Sequence, residues 1–112
     1  ELGRLGSVED LEGAMAGPDR ALAALARIAR GEQLVEEGRL AEAEPLWRHV
    51  AEDPAAEPIP RALALVGLGR RETARENPDG ARGHLEEAKL VANEAWLVGE
   101  IEGRLAELAA TP

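Results

Sequence analysis

The sequence predicts an all-α fold of antiparallel helix-turn-helix repeats, with about five to six helices, and three observations support this prediction. Only two of the 112 residues are aromatic, so Ala, Leu, Val and Ile have to fill the core, a composition that suits helices better than sheets. Apolar residues recur about every 3.6 positions in stretches separated by Gly and Pro. A two-helix pattern also occurs twice, at an offset of 38 residues.

The first 18 residues are expected to form a short helix or linker ahead of a repeat domain that covers residues 19–112. Ser7 and Asp10 have the spacing of a capping box at a helix start. The sequence begins with Glu1 and shows no basic and apolar leader, so we expect the chain to be processed or excised from a longer protein. The expected compartment is the cytoplasm by default, or the periplasm if an anchor or signal precedes this segment.

The first repeat unit is predicted over residues 20–54. Asp19 is placed to cap its first helix, over Arg20–Glu37, and Gly38 supplies the left-handed residue that ends many helices. The second helix should begin near Leu40 or Ala41, because Pro45 is tolerated only close to a helix start. The apolar stripes of the two helices are Ala21, Ala24, Leu25, Ile28, Gly31 and Val35, and then Ala43, Leu46, Trp47, Val50 and Ala51.

A proline-rich segment separates the first unit from the second, which is predicted over residues 60–92. Three prolines within residues 53–60 indicate a stiff connector. The turn Asn77–Gly80 divides the second unit into two helices and offers Asn77 as a cap. A last helix over residues 94–109 has Leu97, Ile101 and Leu105 on one face, which predicts a helix that closes the end of the stack.

The two predicted units superpose residue by residue. At the offset of 38, Gly31 aligns with Gly69 and Trp47 with Leu85. The small residues allow two antiparallel helices to approach closely, and the large residue fills the space beside them. Two further aligned pairs are Ala43 with Ala81 and Val50 with Ala88. The repetition predicts a stack of helix pairs in which each pair covers the apolar flank of its neighbour.

At these positions the chain resembles the tetratricopeptide repeat family, whose pattern places an Ala twelve residues after a Gly, an aromatic residue four later and a Pro near the end. The matching residues are Gly31, Ala43, Trp47 and Pro54 in the first unit, and Gly69, Ala81 and Leu85 in the second. The chain departs from the family in its longer unit and in Arg27 and Arg30, where the family has apolar residues. The resemblance implies a right-handed α-solenoid, and the stretch around Trp47 is also similar to bacterial envelope proteins that carry such repeats beside a membrane anchor.

The sequence has no pattern of residues that is typical of a catalytic or cofactor-binding site. We therefore expect neither enzyme activity nor a cofactor nor a metal. His49 and His84 lie on separate predicted helices, and a single His-Glu pair at helical spacing is typical of solvated surface. The Gly67–Arg71 stretch is not preceded by a strand, so its glycines indicate close helix packing rather than a phosphate loop. No hydroxyl has a base in reach by sequence spacing.

Candidate partner-binding residues are implied by the resemblance, in which the first helix of each unit lines a concave surface. These residues are Leu25, Ile28, Glu32, Leu63, Arg70 and Ala74, together with Trp96 on the last helix. Arg70, Arg71 and Arg75 form a basic cluster that either faces a partner or pairs with glutamates such as Glu72 and Glu76. Trp47 is predicted in the core, whereas Trp96 either covers the end of the stack or stays exposed for a partner.

Charge and hydropathy restrict the class of partner. The chain carries 13 Lys and Arg against 22 Asp and Glu, a formal net charge of -9 that repels nucleic acid and anionic lipid. It has no cysteine, which excludes thiolate chemistry and disulfides. The longest uncharged apolar run, Ala62–Gly69, is far shorter than the roughly 20 residues that cross a bilayer. We therefore expect neither a nucleic-acid partner nor direct membrane insertion by this segment.

Two functional hypotheses remain. The first is a scaffold that binds a peptide or helix of another protein on its concave face. The alternative is a structural domain of a larger, membrane-anchored protein that forms homo-oligomers through the exposed flank of its last helix.

Overall fold

The computed structural model describes residues 7–110, and this part of the chain folds into six α-helices and no strand. The helices are α1 (Val8–Ala16), α2 (Arg20–Glu36), α3 (Leu40–Ala51), α4 (Pro58–Ala74), α5 (Pro78–Val91) and α6 (Ala95–Ala110). Each helix packs against the next one along the chain, and α2 also contacts α4. The predicted all-α class and the predicted number of helices are confirmed.

Side chains cap three of these helices, as their sequences predict. The Ser7 hydroxyl accepts a hydrogen bond from the Asp10 backbone N–H at 3.1 Å, and the Asp19 carboxylate accepts one from Leu22 at 3.0 Å. The Asn77 side chain accepts one from the Gly80 N–H at 3.1 Å, at the start of α5. Each bond satisfies a donor that the first turn of a helix leaves free, and this fixes where the helix begins.

Two further helix boundaries depend on backbone geometry. Gly38 has a φ of 76°, the left-handed conformation that closes α2. The helix α3 begins at Leu40, as predicted, but Pro45 is then its sixth residue and lies beyond the first turn, on the exposed side of the helix.

The predicted connector over residues 53–60 is too long, because α4 already begins at Pro58. Pro58 and Pro60 occupy the first turn of that helix, where backbone N–H groups have no acceptor within the helix, so the missing donors cost nothing there. The actual connector is residues 52–57. It turns on Asp53, whose side chain accepts a hydrogen bond from the Ala55 N–H at 2.9 Å.

The core is centred on Trp47, whose side chain is fully buried between α2 and α4. A Cβ atom placed on Gly31 would lie 2.8 Å from the ring atom Cε2, and one placed on Gly67 would lie 2.7 Å from it, so both positions require glycine. In the second unit a Cβ on Gly69 would lie 3.2 Å from Cγ of Leu85. The repeated glycine therefore faces the repeated large residue in both units.

The rest of the core is aliphatic, as the composition predicts. Small residues at helix contacts, including Ala43, Ala62, Ala81 and Ala88, are fully buried. Leu97 and Ile101 of α6 are also fully buried and hold that helix against the stack. None of the helices in residues 7–110 is both long and apolar enough to span a bilayer.

Candidate functional site

The six predicted concave residues lie on two neighbouring helices. Leu25, Ile28 and Glu32 lie along one side of α2 at helical spacing, and the remaining three are on α4, which contacts α2. We call this set, Leu25, Ile28, Glu32, Leu63, Arg70 and Ala74, the α2/α4 face. At its centre Arg70 Nη1 donates to Glu32 Oε2 at 2.7 Å. These two residues occupy the same position in successive units, 38 residues apart.

Burial varies across the α2/α4 face. Leu25 is 48% exposed, and Glu32 and Ala74 are also exposed, whereas Ile28, Leu63 and Arg70 are half-buried. The Arg70 guanidinium lies 5.8 Å from the centre of the Trp47 ring, a cation–π contact that positions it above the core. The face thus presents a large exposed apolar side chain about two helical turns along α2 from a charged pair.

Two clefts adjoin this face. A cleft of about 360 Å³ includes Leu25 and Ile59 and is lined by Ala21, Leu25, Glu57, Pro58, Ile59, Pro60, Asn93 and Glu94. A cleft of about 230 Å³ between α4 and α6 is lined by Val66, Gly69, Arg70, Thr73, Leu85, Arg104, Glu107 and Leu108. Leu25 and Arg70 therefore each belong to one cleft. The other four residues of the face, Ile28, Glu32, Leu63 and Ala74, belong to neither.

The sequence-based site omits the α6 wall of the smaller cleft. Arg104 and Leu108 are four residues apart on α6, so they lie on one side of that helix next to α4. Their spacing is visible in the sequence, but only the packing of α6 shows that they face Arg70 across a cleft.

The basic cluster divides between two roles. Arg70 points to the α2/α4 face, whereas Arg71 and Arg75 bind Glu44 on α3, at 3.0 and 2.8 Å. Arg75 also pairs with Glu72 at 3.1 Å, one of the partners that the sequence suggests. Arg71 and Arg75 therefore join α3 to α4 and are not available to a partner in this arrangement.

Glu44 is the carboxylate around which this junction is built, and its side chain is only 14% exposed. Burial alone would raise its pKa, but hydrogen bonds from Arg48 and Arg71 and the charge of Arg75 outweigh that effect and hold the pKa below its ordinary value. Glu44 is thus charged at neutral pH and binds α3 to α4 electrostatically.

Trp96 borders neither cleft. Its side chain is 58% exposed at the start of α6, and Leu90 at the end of α5 is 87% exposed. Of the two alternatives that the sequence leaves for Trp96, the structure favours the exposed one.

The side chains considered for catalysis or metal binding lie on three different helices within residues 7–110. No three His, Cys, Asp or Glu side chains in this range lie close enough to share a metal ion. His49 and His84 are on α3 and α5, and the Thr73 hydroxyl donates to the carbonyl of Gly69 at 3.0 Å. Gly67 and Gly69 lie inside α4 against core side chains, which is a packing role.

Comparisons with known proteins do not place the chain in a family. No family model matches the chain, and searches of curated proteins and of solved structures also found no significant match.

Proposed function

We propose that the protein is a non-enzymatic interaction module of tetratricopeptide-like architecture, which binds a peptide or helix of another protein on the α2/α4 face. The observation that carries the proposal is the exposure of Leu25 beside the 360 Å³ cleft, on the same side of α2 as Glu32. A large apolar side chain next to an open cleft is a typical anchor point for a partner.

The chemistry of the face indicates the kind of segment that fits. The larger cleft has apolar walls at Leu25 and Ile59 and suits an aliphatic or aromatic side chain. The smaller cleft has apolar walls at Val66 and Leu108, and its two arginines are already held by carboxylates of this chain, so it suits a second apolar residue.

The test compares two substitutions on the same helix. Leu25→Glu places a charge in the larger cleft, whereas Leu22→Glu makes the same change at a residue that is 52% exposed and lies outside both clefts. In affinity capture from cells of the source organism, the specific partners should bind the wild type and Leu22→Glu and be lost from Leu25→Glu. Recovery of the same partners with all three chains would refute the proposed face.

A second candidate function is supported by the exposure of Trp96 and Leu90. Exposed large apolar residues near one end of a helical stack mark a surface for self-association. In this alternative the domain pairs with a second copy through the outer side of α6, as part of a larger membrane-anchored protein of the bacterial envelope. Light scattering measures the molar mass of the chain in solution. A wild-type dimer that Trp96→Ala converts to a monomer supports this candidate, and a wild-type monomer contradicts it.

A further inference from the structure

We propose that the cleft between α1, α2 and α3 binds a phosphate group, which Arg20 and Arg27 hold from α2 with His49 beside them on α3. The cleft has a volume of about 170 Å³, and these three side chains line it. It shares no residue with the α2/α4 face or its clefts, so this proposal stands or fails separately from the proposed function.

The side chains of these two arginines have no partner among residues 7–110. The other Arg and Lys side chains in that range are held by carboxylates, except Arg61, which donates to the carbonyl of Ala51. The side chains of Arg20 and Arg27 make no hydrogen bond or ion pair there, although acidic residues outnumber basic ones in the chain. Two free guanidinium groups that line one cleft form a local positive site on an acidic protein.

The spacing of the two arginines also fits a phosphate group. Arg20 and Arg27 are two turns apart on α2, about 10 Å along the helix, so their long side chains can approach one ligand from opposite ends. A carboxylate has two oxygens, which a single guanidinium can satisfy. A phosphate group has more acceptor oxygens and about two negative charges, and it can engage both guanidinium groups together with an imidazole donor.

The remaining lining leaves room for such a ligand. Ala23, Ala24 and Gly17 have little or no side chain, and 170 Å³ corresponds to about five or six water molecules at about 30 Å³ each. The lining includes one carboxylate, that of Asp53, which accepts a hydrogen bond from the Ala55 N–H and makes no ion pair with the arginines. The two arginines and Asp53 leave a net positive charge.

The experiment titrates the full chain with inorganic phosphate at constant ionic strength and measures backbone amide signals by NMR. The test variant is Arg20→Gln/Arg27→Gln. The matched control is Arg39→Gln/Arg82→Gln, which removes the same charge from arginines that are paired with carboxylates and line neither this cleft nor those of the α2/α4 face. We expect shifts around residues 17–27 and 49–53 that saturate in the wild type and the control, and affinity about tenfold or more weaker in the test variant.

Three results would overturn the proposal: no saturation in the wild type, an equal loss of affinity in the control, or equal binding of acetate. A parallel titration with O-phosphoserine distinguishes the source of the phosphate. Tighter binding than inorganic phosphate indicates a phosphorylated side chain of a partner, and equal affinity indicates a free phosphate ion. Circular dichroism of both variants checks that the fold is retained.

Discussion

Trp47 shows how much of this fold depends on single residues. Its ring lies between Gly31 on α2 and Gly67 on α4, and a methyl group on either glycine would overlap it. The ring cannot move away, because it is fully buried. Its Nε1–H finds no acceptor among residues 7–110, so the stabilisation comes from apolar contact rather than from hydrogen bonding.

A glycine pair tests this contact. We expect Gly67→Ala to lower the free energy of unfolding by about 1 to 3 kcal/mol, since overlap with an enclosed ring exceeds the gain in helix propensity. Gly83→Ala is the control, because a Cβ there meets nothing within 4 Å, and it should raise the free energy of unfolding by about 0.5 to 1 kcal/mol. Urea denaturation measures both, and a stabilising Gly67→Ala would contradict the packing described.

Neighbouring helices are held together in two different ways. The junction of α3 with α4 includes a charged cluster around Glu44, whereas α6 is held by the buried apolar side chains Leu97 and Ile101. The first mode depends on pH and the second does not.

The pH dependence of the α3–α4 junction is set by Glu44. Its pKa is lower in the folded chain than the value of about 4.3 in an unfolded one, so its stabilisation is complete above that pH and is lost as the pH falls through the folded pKa. We expect Glu44→Gln to reduce stability by about 1 to 2 kcal/mol at neutral pH, and its difference from the wild type to shrink as the pH falls and the Glu44 carboxylate becomes protonated.

The control for this experiment is Glu36→Gln. Glu36 is exposed on α2 and makes no ion pair within the described part of the chain, so its substitution should leave the pH profile of the wild type unchanged. Chemical denaturation across the pH range measures all three chains. A gap between Glu44→Gln and the wild type that stays constant with pH would exclude the charged junction.

The attachment of α6 can be tested with leucines that differ in burial. Leu97→Ala should cost about 2 to 5 kcal/mol, because it leaves a cavity at a fully buried position. Leu90→Ala makes the same change at a highly exposed leucine and should alter the free energy of unfolding by less than about 0.5 kcal/mol. Equal effects of the two substitutions in thermal denaturation would show that α6 does not pack as described.

At the scale of the whole molecule, the two units are coupled rather than merely adjacent. Trp47 belongs to the first unit but packs on Gly67 of the second, and Glu32 and Arg70 join the same position of both units. Stability in stacked repeats depends on such contacts between neighbours.

This coupling predicts a single unfolding transition. In the Trp96→Phe chain the only remaining tryptophan is Trp47, so its fluorescence reports the contact between the units, and far-UV circular dichroism reports all helices. The two denaturation curves should coincide. A fluorescence midpoint at lower denaturant than the loss of helix would show that the units separate first.

Much of the fold is predictable from local sequence, because local rules govern helix ends. Two of the predicted caps, Asp19 and Asn77, accept hydrogen bonds at helix starts, and Gly38 ends α2 in the left-handed conformation. The offset that aligns Gly31 with Gly69 also predicts their equivalent surroundings. The predicted end of the proline-rich connector is wrong, because a proline such as Pro58 is compatible with both a connector and the first turn of a helix. Tertiary packing decides between the two.

The candidate site is less predictable, since its contacts join residues far apart in the chain. Sequence spacing suggests Glu72 and Glu76 as partners for the basic cluster, and Arg75 does pair with Glu72, but Arg70 reaches Glu32 and Arg71 reaches Glu44. Those pairs form only once α2, α3 and α4 are packed. The availability of Arg20 and Arg27 is equally invisible in the sequence, because whether a charged side chain finds a partner is a property of the packed molecule.

The position of Trp47 between the two units also has a consequence for cutting the chain. Cleavage within the connector at residues 52–57 would break no helix. Each fragment would, however, keep only one of the two glycines, Gly31 and Gly67, that enclose the indole ring of Trp47. The two fragments would therefore depend on each other to fold and would reassemble when expressed together, which makes this loop a natural place to split the protein for complementation.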